Sequence, residues 1–124
     1  MPITYSIDRE NRVIEEKWMG TIDKDDLADY WKRYLEDPEV LDIRRTIVDL
    51  REAHILFTGH QMEALISSIV LRALKGRDWK TAIVVDTLVQ FGVSRQYQVF
   101  ADSYSKDAIF HNMDEARGWL LSLK

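Results

Sequence analysis

Apolar and polar positions alternate at the start of the chain. Ile3, Tyr5 and Ile7 are separated by polar residues, the period of a half-buried strand. Asp8-Arg9-Glu10-Asn11 reads as a turn, and residues 13–19 (VIEEKWM) supply a second strand with mixed faces, so the pair predicts a hairpin that Gly20 ends. From Asp23 the period lengthens to that of a helix running to about Glu36. Leu27, Tyr30, Trp31, Tyr34 and Leu35 share its apolar stripe. Asp23, Asp25 and Asp26 place negative charge at the positive end of the helix dipole, and Pro38 marks the stop.

Residues 45–50 (RTIVDL) form a β-branched run that predicts a central strand, followed by a loop over 51–58. The best-patterned helix follows, from Thr58 to Gly76. Met62, Leu65, Ile66, Ile69, Val70, Ala73 and Leu74 recur at helical spacing, and Thr58 with Gln61 makes a capping box. Residues 80–86 (KTAIVVD) read as another buried strand. Residues 88–104 are helical, with Gly92 leaving the start open between Leu88 and Ser94. Asp107 to Phe110 is a short last strand, and Asn112 with Glu115 caps a final helix whose stripe is Met113, Ala116, Trp119, Leu120 and Leu123. The order β-β-α-β-α-β-α-β-α predicts one α/β domain over residues 1–124. An N-terminal hairpin is followed by a largely parallel sheet with right-handed crossover helices.

Composition narrows the function classes. The chain is large enough for one core, and 46% apolar with 31% charged residues is a globular balance. A net charge of −4 argues against a general nucleic-acid binder. The absence of cysteine removes disulfides, thiolate nucleophiles and cysteine metal sites, and is compatible with a cytoplasmic protein. No apolar run is long enough to span a bilayer, and the N-terminus lacks the apolar stretch of a signal peptide.

Motifs with fixed chemistry are absent. There is no Gly-rich phosphate loop, no nucleophile elbow and no zinc spacing among the three histidines. The acidic run at Asp23–Asp26 lacks the calcium-loop pattern, so neither a metal nor a cofactor is expected. Ligands of open α/β sheets gather at the carboxyl ends of the strands, which here means the loops at 51–58 and 86–92. His54, Gly59, His60, Asp86 and Thr87 would surround such a crevice. Phe91 and Phe100 belong to an apolar set, with Leu88, Val89, Val93 and Val99, that exceeds one narrow stripe. It leaves apolar surface for a small hydrophobic ligand or a second subunit.

The quoted segments carry a resemblance. The opening hairpin, IVDL at 47–50, FTG at 57–59, AIVVD at 82–86, FGVSRQYQ at 91–98 and IFHNMDEARGWL at 109–120 resemble the SpoIIAA-like family. These α/β domains are related to STAS anti-sigma-factor antagonists and, more distantly, to CRAL-TRIO lipid-binding proteins. The resemblance implies a non-enzymatic regulatory or protein-interaction domain with an unidentified protein partner. In those antagonists a serine at the start of the helix after the third strand is phosphorylated. That position falls at Thr58, before Gly59 and His60, while Phe57 stands where those proteins place an aspartate. An N-cap role already explains Thr58 without a modification. The alternative implied by the distant relatives is a carrier or sensor of a small apolar molecule or lipid, and a homodimer is compatible with either.

Overall fold

A computed structural model describes residues 2–123. Its centre is a five-stranded mixed sheet in the order β1 (Ile3–Asp8), β2 (Val13–Ile22), β3 (Arg45–Ile55), β4 (Trp79–Val84) and β5 (Ser105–Phe110). The first two strands form the expected antiparallel hairpin, and each later pairing is parallel. Because spatial order follows chain order, crossovers of one hand deliver their helices to one face. That face carries α1 (Lys24–Tyr34), α2 (Pro38–Ile43), α3 (Gly59–Leu65), a π-helical segment (Ile66–Val70), α4 (Leu71–Leu74) and α5 (Leu88–Ala101). The last helix, α6 (Met113–Ser122), covers the opposite face.

The two-residue period of the strands sorts the core into two layers. Ile14, Trp18, Leu50, Trp79 and Ile83 point toward the crossover helices and pack with Leu27, Tyr30, Met62 and Ile66. Val13, Ile47, Ala82 and Val84 point the other way and pack with Ala116 and Leu120 of α6.

Several boundaries differ from the sequence reading, each for a local reason. Gly20 does not end the hairpin. It takes φ +77° inside β2, which runs on to Ile22. Residues 51–55, expected to be loop, extend β3 and pair with Met19–Ile22 beyond a bulge that gives β3 one extra residue. This stretch is mostly polar and exposed, so the ladder of backbone hydrogen bonds holds it, and no burial pattern announces it. Pro38 ends α1 and also opens the unforeseen α2. Asp37 caps that helix by accepting from the Glu39 amide at 2.9 Å, and a proline in the first turn forfeits no helical hydrogen bond. The α5 start falls at Leu88, where Thr87 and Gln90 form a reciprocal cap, and the helix ends at Ala101, short of residue 104. Its early end lets β5 begin at Ser105, two residues before the expected Asp107.

The helix after Thr58 is not α-helical throughout. Its buried positions are Met62, Ile66, Val70 and Leu74, a strict spacing of four. At 3.6 residues per turn, four residues overshoot a turn by about 40°, so three such steps would rotate Leu74 about 120° away from Met62. The wider π turn at Ile66–Val70 absorbs that drift and keeps the four side chains on the sheet. Within it, the Ser68 hydroxyl donates to the Ala64 carbonyl at 2.9 Å.

Candidate functional site

A cavity of about 70 Å³ lies between the sheet and the crossover helices. A water needs about 10–15 Å³, so the space exceeds a single solvent site. The strands supply its floor through inward positions, among them Glu16, Trp18, Thr46, Thr81 and Trp79. Trp31 and Tyr34 of α1 form one wall, Met62, Val70 and Leu74 a second, and Val93, Ser94 and Tyr97 of α5 the third. The π segment therefore belongs to the cavity wall, because without it Val70 and Leu74 would turn away from Met62.

Glu16 is the carboxylate in this lining. It sits on β2 in the inward register of Ile14 and Trp18 and is 6% exposed. The Trp18 indole N–H donates to its Oε2 at 2.7 Å, and the Tyr30 hydroxyl donates to its Oε1 at 2.7 Å. Burial pushes its pKa up to about 7, against the two hydrogen bonds, which favour the charged form. No lysine, arginine or histidine is among the lining residues. Nearby, Tyr34 and Thr46 share a hydrogen bond of 2.8 Å, and the Ser94 hydroxyl donates to the Gln90 carbonyl at 2.8 Å.

The opposite face of the sheet handles a buried carboxylate differently. Asp49, in the register of Ile47, is also nearly buried, and burial alone would raise its pKa. Hydrogen bonds from the Arg51 side chain and backbone and from Lys17 outweigh burial and hold it below the usual carboxylate range. A third carboxyl, Asp107 on β5, is pushed up to about 6 by burial, although the Ser105 hydroxyl donates to it at 2.6 Å.

The residues expected at the carboxyl edge of the sheet lie outside the cavity lining. Thr58 is exposed and caps α3. Its Oγ1 accepts from the Gln61 amide at 3.1 Å, while the Thr58 amide donates to the Gln61 side chain at 3.0 Å. Phe57 and Met62, at the two positions of a hydrophobic staple around this cap, are both buried. At Gly59 a Cβ would overlap the side-chain amide of Gln96 in α5, so the glycine leaves room for that amide. His60 is exposed. His54 is exposed too, and stands in β3 opposite Thr21, not in a loop. Asp86 and Thr87 are exposed at the start of α5, Phe91 is 39% exposed, and Phe100 is half-buried. Leu56, Leu88 and Val89 are exposed apolar residues at this same end of the sheet.

Gln90, which the sequence reading passed over, organises this edge. It is 2% exposed, and its Oε1 accepts from the amides of Asp86 at 2.7 Å and Thr87 at 3.2 Å. Its Nε2 donates to the carbonyls of Ala53 at 3.1 Å and Arg51 at 3.4 Å, tying α5 to the extension of β3. Glu16 was also passed over, yet it carried a signal. In VIEEKWM it shares the register of Ile14 and Trp18, so one carboxylate had to point inward.

No protein-family model matches the chain, and no curated protein does. Among solved structures, the chain is similar to an uncharacterized protein of the DUF3478 family from Shewanella loihica, described as having a SpoIIAA-like fold. The two share 19% sequence identity with a TM-score of 0.66, over 95% of this chain and 93% of the other. The fold is thus a SpoIIAA-like α/β domain, as the sequence resemblance implied. Among the described residues, no helix is long and apolar enough to cross a membrane.

Proposed function

We propose that this domain is a non-enzymatic sensor or carrier of a small, largely apolar molecule held in the cavity between the sheet and α1, α3–α4 and α5. The observation that carries the reading is the cavity itself, walled by tryptophan, leucine, valine and methionine side chains with a few polar atoms on its floor. Apolar walls with sparse polar groups are the usual composition of a small-molecule site. The volume fits a small molecule and not a lipid chain. Glu16 is held by a tryptophan and a tyrosine, and the Thr46 and Ser94 hydroxyls in its cavity are bonded to Tyr34 and to the Gln90 carbonyl, an arrangement that supports binding more than catalysis.

A second reading, a protein-interaction domain, is favoured by the exposed apolar residues Leu56, Leu88, Val89 and Phe91 beside the exposed Thr58. Native mass spectrometry of the protein isolated from its own host separates the two. A stoichiometric small-molecule adduct that leaves on denaturation supports the carrier. A phosphate-sized increment mapped to Thr58, with no adduct, supports the switch, and a bare mass removes the carrier from that host's resting state.

A further inference from the structure

A cavity that is mostly hydrocarbon, with a carboxylate in its floor, asks for a particular ligand chemistry. A carboxylate removed from water is normally compensated by a cation, as Asp49 is by Lys17 and Arg51 on the other face of this sheet. Glu16 accepts from two neutral donors, Trp18 and Tyr30, and each oxygen keeps lone-pair capacity beyond that bond. Among the described residues, no lysine, arginine or histidine lines the cavity. The remaining walls are also selective. Trp18, Trp31 and Trp79, with Tyr34 and Tyr97, surround the space with aromatic rings, whose faces attract positive charge.

We propose that the cavity recognises a small organic cation, a protonated amine whose N–H groups meet Glu16 and whose hydrocarbon lies among the tryptophan side chains. The inference rests on the cavity being a ligand site and adds the ligand's charge and class. The carboxylate provides the countercharge and the rings the cation–π surface, so a neutral ligand of the same shape would use only the apolar walls. The raised pKa of Glu16 agrees with this arrangement, because the group lacks the cation that would hold it ionised. Size limits the class to compact amines. At about 10–15 Å³ per water, 70 Å³ accommodates a branched amine of about five heavy atoms and excludes long acyl or polyamine chains.

The test uses the full chain, with xenon, isobutanol and isobutylamine at neutral pH as probes. Xenon enters dry apolar cavities regardless of charge, and its NMR shift reports occupancy. Trp18, Trp31 and Trp79 line the site, so tryptophan fluorescence follows the other two probes. The expected result is xenon entry and isobutylamine binding at least about tenfold tighter than isobutanol, as a charge-assisted contact in a buried site implies. In Glu16→Gln that preference collapses while xenon entry persists. Xenon entry with isobutanol binding as tightly as isobutylamine overturns the cation assignment and leaves the cavity reading intact. Failure of all three probes to enter overturns both. The comparison of amine and alcohol in the wild-type protein needs no variant, so it stands even if Glu16→Gln does not fold.

Discussion

The Tyr30 hydroxyl of α1 donates to the Glu16 carboxylate of β2 at 2.7 Å, joining a helix to the sheet through a buried charge-capable group. This contact has a pH consequence. Glu16 has its folded pKa raised to about 7 from an ordinary value near 4.5. Between those values the folded state keeps a proton that the unfolded chain has released. Stability from this group is complete below the unfolded value and is lost as pH rises through about 7. The loss amounts to about 3 kcal/mol. Asp107, raised to about 6, acts in the same direction, whereas Asp49, held low, titrates below this window. Urea unfolding is expected to show lower stability at pH 8 than at pH 5, and Glu16→Gln to flatten most of that slope.

Tyr30→Phe removes one of the two donors that favour the charged form of Glu16. The carboxyl pKa is expected to climb further, visible as an upward shift of the Glu16 Cδ resonance midpoint in an NMR titration. An unchanged midpoint would show that the hydroxyl does not reach the carboxylate in solution.

Gln90→Ala leaves the start of α5 without four hydrogen bonds, to the amides of Asp86 and Thr87 and the carbonyls of Arg51 and Ala53. The expected cost is about 2–3 kcal/mol, since the buried side chain and its part-buried hydrogen bonds are both lost. Hydrogen exchange at the Asp86 and Thr87 amides should accelerate well beyond the global change in stability.

Thr58→Ala removes the α3 cap and should cost about 1 kcal/mol. Thr58→Asp keeps an acceptor at the cap position and adds negative charge at a helix start, so its stability should match the wild type. Chemical denaturation of both variants checks this. A large loss in Thr58→Asp would contradict the capping geometry.

Deleting Ser67 takes out the residue that the π turn accommodates, and an ordinary α-helix over the shortened run brings Leu74 to within about 20° of Met62. Val70 and Leu74 therefore stay on the cavity wall, and the variant is expected to form a regular α-helix and keep cavity occupancy by xenon; loss of xenon entry would contradict the register argument. Ser67→Ala, which keeps the residue count, should be close to neutral.

Much of this architecture was legible in the chain. The hairpin, the caps at Thr58 and Asn112 and the helix stripes all depend on local spacing, which sequence carries directly. The polar end of β3 was not legible, because its partner strand and not its own residues makes it a strand. The π turn was hidden for a related reason. Spacings of three and four both satisfy a helical template, and only the run of fours from Met62 to Leu74 marks the drift. The cavity depends on how much volume three helices and a sheet leave unfilled, a sum over distant side chains that no local pattern records. Gln90 looked like any polar residue in a first helical turn until β3 was found to end beneath it.

The match between spatial and chain order in the sheet bears on how the molecule forms. Each strand emerging from the ribosome after the first finds its neighbour already made, and no strand must wait for a later one to fill a gap beside it. Loop closures are therefore confined to single crossovers, which keeps the search short and favours vectorial assembly. The apolar face of Val13, Ile47, Ala82 and Val84 is covered last, when α6 arrives. A chain halted before Met113 would present that face to its neighbours, so the final helix acts as the step that ends the aggregation-prone phase of synthesis.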